Sequence, residues 1–157
     1  MNSDPKASLF EKAVSLLNYR AHSRKELAEK LRRKTGCGET ELSEVLDRLE
    51  QLGLLDDRSY AASVVRSCAR KGYGAQRVAA ELSRRGISKE LREEALGEMP
   101  DTDDTLDRLL RQRLRDPRDR DELRKVSAAM VRRGYSWDEV RRALGRLDAE
   151  TYAEDSM

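Results

Sequence analysis

The stretch VAAELSRRGIS, residues 78–88, is followed 48 positions later by VSAAMVRRGYS, residues 126–136. Val78 matches Val126, Leu82 matches Met130, Arg84 and Arg85 match Arg132 and Arg133, Gly86 matches Gly134, and Ser88 matches Ser136. The same offset carries Leu96 onto Leu144. Seven matches at one spacing mark an internal repeat, the signature of a stacked array. In each copy apolar residues four apart lead into an arginine pair and a glycine. That is the end of an amphipathic helix closed by the residue that best accepts a left-handed turn. A looser copy lies upstream, where Leu27 and Leu31 precede Val78 and Leu82 by 51 positions, the added length falling in KTGCGET at residues 34–40.

Working outward, apolar residues recur at helical spacing along the chain. Phe10, Val14 and Leu17 share one face of a first helix. Ser23 and Glu26 form a capping box that opens a second, with Leu27 and Leu31 inward and an end near Gly36. Leu42, Val45, Leu46, Leu49 and Leu52 mark a third, ending at Gly53. The next round opens at Asp57 as a helix cap, with Tyr60, Val64, Val65 and Cys68 inward. It passes through GYG at residues 72–74, then Val78 and Leu82, then a helix from Ser88 with Leu91, Ala95, Leu96 and Met99. A last round carries Leu106, Leu109, Leu110 and Leu114, then Leu123, Val126 and Met130. It closes with Val140, Leu144 and Leu147 after a second capping box, Ser136 with Glu139. The expected fold is all-α, an elongated tandem array of three three-helix repeats at 8–53, 54–99 and 102–148, with a C-terminal tail at 149–157.

Composition agrees with helices. The 157 residues include one isoleucine, and aromatic residues make up 4%, so there is little of the β-branched and aromatic material from which sheets are built. Charged residues make up 39%, but 32 Lys and Arg oppose 30 Asp and Glu, so the net charge of +2 excludes a strongly basic tail. No apolar run approaches the roughly 20 residues that cross a bilayer, and the opening MNSDPKASLF lacks the apolar segment of a secretion signal, so the chain is read as cytoplasmic. Cys37 and Cys68 form no CxxC pair and His22 is the single histidine, too few ligands for structural zinc. Neither GYG nor KTGCGET has the lysine pattern of a phosphate loop. No cofactor, metal or catalytic constellation is expected, and the chain is read as a non-enzyme and a monomer.

Four strings together resemble the RecX family of bacterial regulatory proteins: HSRKELAEKL at 22–31, LGLLDDRSYA at 52–61, GYGAQRVAAELSRRGIS at 72–88 and VRRGYSWDEVRRAL at 131–144. They stand in the family's order, and the resemblance runs from residue 8 to residue 148. Most specific is GYG-x-x-R-x-x-x-E-L-x-x-[KR]-G-I, here with Arg77, Glu81, Leu82 and Gly86. The resemblance implies a tandem of three-helix repeats that binds the RecA recombinase filament and modulates, usually inhibits, its ATP hydrolysis and strand exchange.

The candidate contact residues are the basic clusters that end the second helix of each repeat: Arg32, Arg33 and Lys34, then Arg84 and Arg85, then Arg132 and Arg133, joined by Arg77 of the motif. Two readings stand. Cations at helix C-termini are favoured by the helix dipole alone, by roughly 0.3–1 kcal/mol each. Their recurrence as adjacent pairs suits an anionic target, either the RecA filament or single- or double-stranded DNA. The alternative function is a helical module that binds DNA directly, without RecA. Arg108, Arg111 and Arg115 form a further stripe, expected to pair with Asp104 and Asp107 one turn earlier. Tyr73, Tyr135 and Trp137 are read as staples between helices ahead of base-stacking platforms.

Overall fold

A computed structural model describes residues 4–155, apart from the side chains of residues 152 and 155. Within them the backbone forms α1 (Pro5–Tyr19), α2 (Arg24–Thr35), α3 (Glu39–Gln51), α4 (Asp57–Arg70), α5 (Ala75–Arg84), α6 (Lys89–Gly97), α7 (Asp103–Arg113), α8 (Arg120–Arg132) and α9 (Trp137–Asp155), and no strand. The fold is all-α, as the periodicity requires. α9 continues to Asp155 through the segment read as a tail. Residues 156–157 of that tail, and residues 1–3 of the opening, lie outside the described residues. Contacts gather the chain into two compact units, Met1–Val64 with Leu82–Ala95, and Val65–Glu81 with Leu96–Met157.

In the first unit, α1, α2 and α3 enclose Leu9, Ala13, Leu27, Leu31, Leu42, Val45, Leu46, Leu49 and Leu55. The helical period of α1 is as expected, but the centre of its buried stripe is Leu9 and Ala13, while Phe10, Val14 and Leu17 pack only partly against the core. The small Ala13, fully buried, lets α1 lie close on its neighbours. Leu52, expected inward, is 46% exposed. α3 stops one residue before it, and Gly53 at φ 73° reverses the chain. The Leu54 and Leu55 amides then donate to the Leu49 carbonyl, so Leu55 fills the place instead.

The capping box at α2 is complete: Ser23 Oγ accepts from the Glu26 amide at 3.0 Å and Glu26 Oε1 accepts from the Ser23 amide at 3.1 Å. The cap of α4 is Asp56, which accepts from the Ser59 amide and hydroxyl at 3.1 and 2.9 Å. Asp57 instead reaches α2, accepting from the Arg24 amide at 2.8 Å. Its half-burial pushes its carboxyl above the usual range despite that bond.

One joint recurs, once in each unit. In the first, the start of α2 sits on the end of α5: Ser23 Oγ donates to the Arg85 carbonyl at 2.5 Å, and Lys25 lies so close to Gly86 that a Cβ there would meet its side chain at 2.6 Å. In the second, the start of α5 sits on the end of α8: the Gly74 amide donates to the Arg133 carbonyl at 2.9 Å and the Gln76 amide to the Gly134 carbonyl at 3.0 Å. A Cβ on Gly134 would stand 2.6 Å from the Arg77 amide nitrogen and 2.7 Å from the Gly74 carbonyl. Gly86 and Gly134 both hold positive φ, 83° and 106°. Glycine is thus favoured twice over, by the left-handed turn and by the approach of the neighbouring helix, through the Lys25 side chain at Gly86 and through backbone at Gly134. In both cases the end of a helix, which leaves carbonyls without intrahelical partners, is satisfied by donors at the start of another.

The rest of the second unit packs α7, α8 and α9 around Leu106, Leu109, Leu110, Leu114, Val126, Met130, Tyr135, Val140 and Ala143. The Ser136–Glu139 capping box forms as expected, with both bonds at 3.0 Å. Asp107 and Arg111 of α7 pair across to α9 and not with each other: Arg146 donates to Asp107 through Nε and Nη2, and Arg111 to Glu150 through the same pair of nitrogens. α7 and α9 lie side by side, and the fork geometry of arginine favours a bidentate partner on the facing helix over a single contact one turn away.

Candidate functional site

The basic clusters sit where α2, α5 and α8 end, but they do not behave as one set. Arg32 is tied down, its Nε and Nη2 donating to Glu39 at 2.7 and 3.0 Å across the α2–α3 turn. Arg33 and Lys34 are exposed. At the end of α5, Arg84 is exposed while Arg85 turns inward and donates through Nη1 to the Tyr60 hydroxyl at 2.8 Å. Tyr60 also bonds Glu26, so the α2 capping box, Tyr60 and Arg85 form one network in the first unit. Burial opposes ionisation of Glu26, yet the Ser23 amide, the Tyr60 hydroxyl and Arg20 together hold its carboxyl below the usual range.

The end of α8 repeats this division. Arg132 is exposed, whereas Arg133 is half-buried and donates to the carbonyls of Lys71 and Gly72 at 2.5 and 3.4 Å. Two guanidinium groups lie against the Tyr73 ring, Arg77 at 3.8 Å and Arg133 at 5.4 Å from its centre. Tyr135 is fully buried, its hydroxyl donating to the Gly72 carbonyl at 3.0 Å. Tyr73 and Tyr135 are therefore parts of the second joint. Trp137 is not: it stands 53% exposed at the start of α9. Of the eight basic candidates, Arg85 and Arg133 serve the joints, Arg77 lies on Tyr73, and Arg32 is paired to Glu39. Arg33, Lys34, Arg84 and Arg132 present their side chains to solvent.

His22 beside the first joint is 2% exposed, with Nδ1 at 2.9 Å from the Arg20 carbonyl and no hydrogen-bond partner at Nε2. Burial, then Arg20 and Lys30, lower its pKa against the opposing pull of the Arg20 carbonyl and Glu26. No group of three or more His, Cys, Asp or Glu among the described residues is placed to hold a metal ion. No helix among them is long and apolar enough to cross a membrane.

Family models match the chain three times in succession: RecX, first three-helix domain, over residues 10–49; RecX, second three-helix domain, over 56–96; and RecX, third three-helix domain, over 101–144. The chain belongs to the RecX family. Among its relatives, the regulatory protein RecX of Pelodictyon phaeoclathratiforme is 33% identical over 93% of this chain and 91% of its own length. The regulatory protein RecX of Chromohalobacter salexigens is 35% identical over 90% and 94%. The crystal structure of RecX from Lactobacillus salivarius superposes with a TM-score of 0.82 at 26% identity, covering 92% of this chain and 97% of that one. The three RecX domains follow the three rounds of helices, and both joints fall between residues of successive RecX domains.

The joints are what sequence reasoning missed. Ser23, Gly74, Gly86 and Gly134 were legible as caps and turns, but a hydrogen bond across about sixty residues leaves no local pattern. The signal that was available is the doubled arginine: an adjacent pair repeated at one spacing fits one side chain turned in and one turned out.

Proposed function

We propose that this chain binds RecA recombinase filaments and lowers their ATP hydrolysis, extension and strand exchange, acting as a cytoplasmic monomer with no chemistry of its own. The observation that carries this reading is the run of three RecX domains in order along the chain. The exposed cations Arg33, Lys34, Arg84 and Arg132, one group at the same place in each repeat, are the proposed contacts, because a nucleoprotein filament offers acidic side chains and phosphate alike. Arg85, Arg133 and Arg77 act indirectly, by holding the repeats in register.

Co-sedimentation with RecA filaments assembled on single-stranded DNA tests the reading. Binding is expected with the filament and not with naked DNA at the same salt. Binding to naked DNA with a log–log salt slope of about −0.7 per phosphate contact would favour the direct DNA-binding alternative. Absence of the protein from the filament pellet would contradict the proposal.

A further inference from the structure

The joint that occurs twice within the chain uses a helix end with a left-handed glycine, and α2 offers one more such end. At the ends of α5 and α8, a left-handed glycine and the carbonyls beside it receive the start of a helix from the preceding repeat. α2 also ends at a left-handed glycine: Gly36 takes φ 63° and follows the exposed Arg33 and Lys34, its amide donating to the Arg32 carbonyl while the Thr35 hydroxyl donates to the Leu31 carbonyl. Yet a Cβ on Gly36 would meet nothing within 4 Å, where a Cβ on Gly86 or Gly134 would strike the seated helix at 2.5–2.6 Å. Among the described residues no helix start is seated on this end of α2. Gly36 is itself exposed, whereas Gly134 is buried.

We infer that the end of α2 around Gly36 is a seat for the N-terminal turn of a helix carried by the protein partner, one that begins with a small capping residue and an acid in its first turn. The inference rests on the filament-binding reading above. Its chemistry is that of the two occupied seats, in which amide or hydroxyl donors at a helix start meet carbonyls at a helix end. Helix starts favour Ser and Gly as caps and carry Asp or Glu in their first turn. Arg33 and Lys34, each without an ion-pair partner among the described residues, stand at the rim where such an acid would lie.

A second copy of this chain does not fit. The helix start that it would offer is that of α8, and this start differs from the two that are seated. The residue 48 positions after Gly74 is Glu122, and α8 begins two residues earlier, at Arg120, capped by Asp119. Glu122 accepts from the amides of Arg115 and Asp116, closing its own loop across the place where Ser23 and Gly74 are small and open.

The test is Gly36→Asn. Asparagine tolerates the left-handed turn, and in the isolated chain its side chain enters open space, so the melting temperature should stay unchanged. With a helix seated as in the two internal joints, the added Cβ collides. The dissociation constant for RecA filaments on single-stranded DNA should rise at least about tenfold, the loss typical of an interface hot spot. Arg33→Glu with Lys34→Glu, both fully on the surface, should weaken binding as well and serves if the asparagine variant folds poorly. Wild-type affinity in both variants overturns the seat while leaving filament binding intact. Failure of the unmodified protein to bind filaments removes both. A concentration-dependent dimer in sedimentation velocity that Gly36→Asn abolishes would assign the seat to a second copy and overturn the inference.

Discussion

Ser23 and Arg85 stand 62 residues apart, yet the hydroxyl of one donates to the carbonyl of the other at 2.5 Å, while the same hydroxyl accepts from the Glu26 amide. One buried oxygen thus starts a helix and fastens it to the end of another. Ser23→Ala removes both bonds and leaves the Arg85 carbonyl without that donor. A loss of about 1–2 kcal/mol in unfolding free energy is expected, measured by urea denaturation followed by circular dichroism. Ser23→Gly, which keeps a capping residue type but not the hydroxyl bond, should recover only part of it.

The second joint has no side-chain hydroxyl; its donors are the amides of Gly74 and Gln76. Gly134→Ala puts a Cβ 2.6 Å from the Arg77 amide nitrogen at a backbone φ of 106°, so neither the turn nor the seated helix can stay as it is. It should cost more than about 2 kcal/mol. Gly36→Ala has the positive φ but open space, and should cost about 1 kcal/mol. Equal losses, measured by thermal and urea unfolding, would show that the contact is not the source.

Much of this fold was legible before any coordinates. The 48-residue offset located helix ends that the structure places at matching positions, and both capping boxes form as the Ser-x-x-Glu spacing requires. What failed was local choice among near equals. Phe10 and Leu9 are adjacent, and only the facing helices decide which is central. Leu52 continues the apolar period of α3 one residue past the place where the helix stops. Asp56 and Asp57 both resemble caps, and only the position of Arg24 gives the second one its partner. The site was legible as a set of cations but not in its division, because burial of Arg85 and Arg133 follows from contacts with residues 25 and about sixty positions away.

His22 is buried and its pKa is lowered, mainly by burial and then by Arg20 and Lys30. Its folded-state pKa therefore lies below its unfolded value of about 6.5. Unfolding takes up a proton in that window, so the stability it contributes is complete above the unfolded pKa and is lost as pH falls toward the folded one. Between pH 7 and pH 5 the unfolding free energy of the natural protein should fall more steeply than that of His22→Phe. Parallel pH profiles would contradict a buried neutral imidazole.

The arginine pairs separate structure from binding. Arg85→Glu faces Glu26 within the Tyr60 network and should lower the melting temperature markedly. Arg132→Glu lies on the surface and should leave the melting temperature within a degree or two, the usual range for surface changes. It should nonetheless weaken co-sedimentation with RecA filaments several-fold. The reverse pattern would mean that the inward arginines, not the outward ones, meet the partner.

Restraint of RecA by this RecX-family protein is read in the steady-state rate of ATP hydrolysis by RecA on single-stranded DNA as purified protein is added. The rate should fall and level off as protein is added. An unchanged rate at concentrations where the protein is fully bound to the filament would contradict it.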